Sequence, residues 1–178
     1  MKYRFFKYLL AFLIILAVAT PANGQKASSY VNLGVSYYQL KKYEEAIQQF
    51  KLAADIDPQY PNLYGLLGSA YLQNGQYEVA AEAYQNQIKH TPDSENLHFN
   101  LGLTYLKMQK YDQAVKSFQK TADLNPASLK AYRNLAYLYT RQGNLRDAEK
   151  ALAHVIAEEA SWKDHYNLGV VLHRQARY

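Results

Sequence analysis

The chain has no cysteine among its 178 residues. That absence excludes disulfides, thiol catalysis, cysteine-ligated metal sites and lipid attachment through an N-terminal cysteine. The patterns of the common catalytic sites are missing too. There is no HExxH, no Gly-rich phosphate loop and no GxSxG, and no two of the five histidines (90, 98, 154, 165 and 173) stand at i, i+3 or i+4, as a helical metal pair requires. No stretch alternates as a strand would, and none is of low complexity. Charge of one sign is also in short supply. Against 15 acids stand 20 bases. Three of the bases (Lys2, Arg4 and Lys7) lie before Gln25, leaving 17 against 15 in the remainder. A net charge near +2 gives no electrostatic case for nucleic acid as a partner.

The stretch 1–24 has a plan of its own. After the basic start, Tyr8 to Ala19 is an apolar run of twelve, followed by Pro21 and the small residues Ala22 and Gly24. This is the three-part layout of a secretory signal peptide, and it falls well short of the roughly 20 apolar residues a membrane-spanning helix needs. We expect 1–24 to be a signal removed after Gly24, with an exported protein of the bacterial periplasm as the product. The alternative is a retained segment that anchors the chain in the inner membrane, facing the periplasm. The stretch 25–178 is long enough for one domain.

What that stretch holds is repetition. Tyr30, Leu33, Gly34, Tyr37, Tyr43, Ala46, Phe50 and Pro58 recur at one fixed offset as Tyr64, Leu67, Gly68, Tyr71, Tyr77, Ala80, Tyr84 and Pro92. They recur at the same offset again as His98, Leu101, Gly102, Tyr105, Tyr111, Ala114, Phe118 and Pro126. A fourth copy is looser: Tyr132, Leu135, Ala136, Tyr139, Leu145, Ala148 and Leu152, without the proline. A fifth begins one position early with His165, Leu168, Gly169 and Leu172, and Tyr178 stands where its second half would start. Within each copy apolar residues fall at i, i+3, i+4 and i+7, which predicts helices at roughly 28–40, 43–55, 61–74, 77–89, 95–108, 111–123, 129–142, 145–158 and 162–175. The stretch 25–29 reads as a polar lead-in. Gly75 and Gly143 break the chain within pairs, and Pro58, Pro61, Pro92 and Pro126 between them. Asn144, with Asp147 at i+3, reads as an N-cap.

The pattern resembles the tetratricopeptide repeat (TPR) family, across repeats 27–60, 61–94, 95–128 and 129–161 and a half repeat 162–178. The resemblance implies an all-α fold, an α-solenoid wound as a right-handed superhelix, and a non-enzymatic protein-binding role with no cofactor. The physical reading agrees. Small residues in the Gly34, Gly68 and Gly102 column and the Ala46, Ala80, Ala114 and Ala148 column let two helices approach, while leucines and aromatics fill the space around them. Twelve of the eighteen tyrosines fall in these columns, so they read as core rather than as a stacking platform. His98 and His165 share the aromatic column and are expected to be wedged between helices.

In such arrays the first helix of each pair lines a concave face. The positions mapped to that face are Ser28, Val31, Asn32, Val35, Tyr38 and Gln39 in the first repeat, and Asn62, Gly65, Leu66, Ser69, Leu72 and Gln73 in the second. The later repeats contribute, among others, Phe99, Asn100, Lys107, Lys130, Arg133, Asn134, Tyr137, Arg141, Lys163, Asn167 and Arg174. Six of the thirty mapped positions are Lys or Arg and none is acidic, and every base lies at Lys107 or beyond. A positive wall draws an anionic partner; a chance run of solvated charge would look the same. Asn32, Asn100, Asn134 and Asn167 form a column whose amides can pair with the N–H and C=O of an extended peptide, although Asn is also frequent at this position in the family. The expected partner is therefore an extended, acidic protein segment. The family's carboxylate clamp is not reproduced, since Val31 and Val35, or Phe99 and Leu103, hold its places. The last helix, 162–175, reads as the solvating helix on which arrays of this family commonly end. Yet Tyr166, Val170, Val171 and Leu172 make it rather apolar for an end that should face water, which raises self-association into a homodimer through this end as an alternative.

Overall fold

The computed structural model describes residues 24–159 and 161–176; the expectations for residues 1–23 of the signal segment and for Tyr178 lie outside them. Among the described residues there is helix and turn, with no strand, as the repeat pattern requires. Helix α1 spans 24–39, so the stretch 25–29 is helical rather than a loose lead-in: Ala27 is fully buried and Ser29 Oγ donates back to the Gln25 carbonyl. Then come α2 (Tyr43–Ile56), α3 (Leu63–Gln73), α4 (Tyr77–His90), α5 (Glu95–Lys107), α6 (Tyr111–Leu124), α7 (Leu129–Gln142), α8 (Leu145–Glu159) and α9 (Trp162–Gln175). None of the described helices is long and apolar enough to cross a membrane.

The chain forms two compact units, one ending at Gln76 and the other starting at Tyr77. In the first, α1 packs on α2 and α2 on α3. A methyl group at Gly34 would sit 2.6 Å from the Phe50 ring, so only glycine permits that approach. Asn74, just past α3, donates to Glu44 at the start of α2 (2.9 Å). In the second unit each helix from α4 to α9 packs on the next. Gly102 lies under the Phe118 ring as Gly34 lies under Phe50, with 2.8 Å to an added methyl. The fourth repeat solves the same contact differently, with Ala136 and Leu152 at the equivalent positions, both buried. The slimmer leucine leaves room for the methyl that the ring excludes.

One turn position is shared by four repeats. Lys41, Gly75, Gln109 and Gly143 all adopt the left-handed backbone, at φ between 58° and 78°. Glycine takes that conformation without penalty, whereas Lys41 and Gln109 hold it against the crowding of their Cβ atoms. Two ties also recur from one repeat to the next: Gln85 donates to the Tyr105 hydroxyl and Gln119 to the Tyr139 hydroxyl, both at 2.7 Å. Asn144 caps α8 as expected, its Oδ1 accepting the Asp147 N–H (3.4 Å) and its Nδ2 donating to the Asp147 carboxylate (2.7 Å).

Three expectations need correction. His165 is exposed rather than wedged, because no helix among the described residues covers that side of α9; Gly169, on the same side, has open space before it. Val171 is 1 % exposed and belongs to the core, so the apolar surface of α9 is made by Trp162, Tyr166 and Leu172 instead. Val31 and Gly65, mapped to the concave face, are buried.

Candidate functional site

The helix α7 carries Arg133, Tyr137 and Arg141 at i, i+4 and i+8, hence on one face about 6 Å apart per step. Two clefts of the second unit meet at Tyr137. The first, about 460 Å³, lies between α7, α8 and α9, with Ala136, Leu152 and Val170 as its apolar part and Thr140, Lys163, Asp164 and Asn167 among its polar lining. The second, about 450 Å³, is formed by Leu106 and Lys107 at the end of α5, Gln109 and Tyr111, and Tyr137 and Arg141 on α7.

Arg133 is held by a residue the groove map omitted. Its Nε donates to Asp164 Oδ1 and its Nη2 to Oδ2, both at 3.0 Å, and Nη2 also reaches the Glu159 carbonyl at 3.3 Å. The Asp164 carboxylate is almost wholly buried and closes a capping box with Ser161. Ser161 Oγ donates to it at 2.7 Å and the Ser161 N–H at 3.1 Å, while the Asp164 N–H donates to Ser161 Oγ. The Arg133 bonds hold the Asp164 pKa down at about 2 against the opposing effect of burial, with Ser161 adding to the lowering. The charge of Arg133 is thus spent within the chain, tying α9 to α7. A Ser-x-x-Asp pattern is visible from Ser161 onward in the sequence, but its partner Arg133, on the preceding helix pair, is not.

Arg141 is arranged differently. Its guanidinium lies 5.0 Å from the Tyr111 ring centre and 5.9 Å from that of Tyr137, and Nη1 donates to the Tyr137 hydroxyl at 3.1 Å. These contacts fix its direction without neutralising it, and with exposed Lys107 it makes the second cleft positive with no carboxylate in the lining.

The remaining mapped residues divide. Lys163, over the Trp162 ring at 5.6 Å, and exposed Asn167 line the first cleft with Arg133 and Tyr137. Arg174 is exposed and donates weakly to the Thr140 carbonyl at 3.4 Å. The Asn134 amide donates to the Lys130 carbonyl (2.7 Å), which engages part of its hydrogen-bonding capacity; Lys130 itself is exposed. Asn100 is half-buried, and Phe99 stacks edge-on against Phe118 at 5.5 Å, which makes it a packing residue. Asn32 is exposed on α1 in the other unit. No group of three or more His, Asp or Glu among the described residues is placed to hold a metal ion.

Likenesses to known proteins agree with the helical architecture. The TPR repeat family model matches residues 34–75 and 68–109, and a second tetratricopeptide repeat model matches 105–168. No curated protein matches the chain in sequence. Among solved structures, a MamA protein is similar with a TM-score of 0.81 at 19% identity, over 86% of this chain and 84% of that one. A MamA from strain MSR-1 gives 0.73 at 24% identity, over 85% and 87%. A MamA chain of Desulfovibrio magneticus RS-1 gives 0.67 at 20%, over 76% and 78%. At these identities the likeness is one of fold.

Proposed function

Because this chain belongs to the tetratricopeptide repeat family, we propose that it is an exported, non-enzymatic scaffold that holds an extended, acidic segment of another protein along the α5, α7 and α9 face of its second unit. Envelope-complex assembly is the setting that an exported scaffold of this kind suits. The observation that carries the reading is that basic and amide side chains from different helices open onto two adjoining clefts. Exposed charges of this kind act mainly on association rate and salt dependence, whereas amides within the groove act on dissociation.

The test starts from chain produced in a Gram-negative host and recovered from the envelope fraction, where mass spectrometry should find the mature N-terminus near Gln25. A partner that co-purifies is then measured against two variants. Charge reversal at Lys107 and Arg141 to Glu should slow association at least tenfold and flatten its salt dependence. Asn167→Ala should quicken dissociation severalfold, in line with about 1 kcal/mol for one hydrogen bond. Equal binding by both variants would move the binding surface away from these clefts, and intact Met1 protein in the membrane would replace export by anchoring.

A further inference from the structure

We infer that the two clefts read two different side chains of one bound segment: an apolar residue between α7, α8 and α9, and an acidic residue between Lys107 and Arg141. This rests on the groove reading above and makes it specific. The first cleft looks basic by composition, but its arginine already has a carboxylate. Asp164 satisfies Arg133 through two 3.0 Å bonds and thereby occupies the place that an incoming acid would take. A second carboxylate there would have to displace a buried one that is also bonded by Ser161. What the cleft then offers a ligand is chiefly the apolar surface of Ala136, Leu152 and Val170 beside the Tyr137 ring, with exposed Asn167 and with Lys163, which lies over the Trp162 ring, among its remaining polar lining.

The second cleft has the opposite character. Lys107 and Arg141 stand there with no carboxylate in the lining, and two tyrosines aim the arginine. A planar guanidinium held in place loses little freedom on meeting a carboxylate, which suits it to acid recognition. Tyr137 is the ridge between the clefts. Arg141 is one helical turn beyond it, about 6 Å along α7, a distance an extended chain covers in about two residues. The segment recognised should therefore carry Asp or Glu roughly two to four residues from an aliphatic or aromatic anchor.

A random dodecapeptide library displayed on phage, selected on the purified full chain, tests this. Enriched peptides should share the apolar and acidic pair. For a representative peptide measured by fluorescence anisotropy, replacing the acid by its amide should weaken binding at least tenfold. Arg141→Glu should reverse that preference, so that a Lys-containing version of the peptide binds the variant better than the acidic one. Val170→Glu should weaken all anchored peptides while leaving the preference for acid over amide intact. Because Arg141 is exposed, its variant keeps the fold, and circular dichroism checks this for Val170→Glu. Acid dependence that survives Arg141→Glu and disappears with Lys163→Ala would overturn the assignment of the two clefts while leaving the groove reading in place. Peptides indifferent to every one of these substitutions, or a library yielding no binders, would overturn both.

Discussion

Arg133 and Asp164 lie on different helix pairs yet only 3.0 Å apart in space, and the carboxylate is shielded from water. With its pKa at about 2 in the fold and near 3.9 when unfolded, Asp164 binds its proton more readily in the unfolded chain. Its ionised form therefore adds stability above about pH 4, and that contribution is lost as the pH falls from 4 towards 2, amounting to about 2 kcal/mol. Asp164→Asn should lower stability at neutral pH by about 2–3 kcal/mol, somewhat less than the usual cost of breaking a buried pair because Arg133 is partly exposed. It should also flatten the loss of stability between pH 4 and pH 2, and denaturant melts across that range would show both effects. An unaltered acid limb would mean that the pair does not hold α9. The sequence made the charges of this region visible but not their partners. Listing bases by position on a helix put Arg133 with Arg141, whereas a carboxylate on the next pair had already claimed the first. Pairing of this kind is a tertiary fact, and no local period encodes it.

At the level of helices the sequence was far more informative, since one fixed repeat interval places breakers, small residues and aromatics together. The predicted ends of α5 to α9 match to within one position, because Pro92, Pro126, Gly143 and the Asn144 cap interrupt the apolar rhythm there. The face of α9 was harder to read. Period alone put Val171 outside and His165 inside, whereas packing against α8 does the reverse. Within the pairs, the Gly102 and Phe118 contact and its Ala136 and Leu152 counterpart make a measurable proposition. Gly102→Ala should cost about 1–3 kcal/mol by overpacking against a buried ring. Phe118→Leu should also cost stability, by leaving space and by losing the Phe99 contact. The double variant should lose less than the sum of the two by about 1 kcal/mol, within the range for touching residues. Strict additivity in thermal or chemical melts would show that the fourth repeat has not exchanged one packing solution for another.

Across the repeats, the family and its helical fold follow from repetition, while the placement of charge between two clefts is set by tertiary packing. The ties between Gln85 and Tyr105 and between Gln119 and Tyr139 have a consequence for how such a chain can grow. Each spans less than one repeat length of chain, and the second stands one full repeat after the first. Tandem duplication of the repeat 95–128 therefore carries Tyr105 and Gln119 along together, so the new junction and the two old ones beside it each have a matching glutamine and tyrosine. Lys51 with Tyr71 and Ala153 with His173 stand at these positions in the first and last junctions. A chain in which the repeat 95–128 is inserted a second time, between Ser128 and Leu129, should fold without further change. It should gain the circular dichroism of one more helix pair and melt no lower than its parent, since stability in such arrays builds from neighbour contacts. A lower melting temperature would show that the joints are not interchangeable. Lengthening, on this view, is a copying operation that needs no invention at the seam.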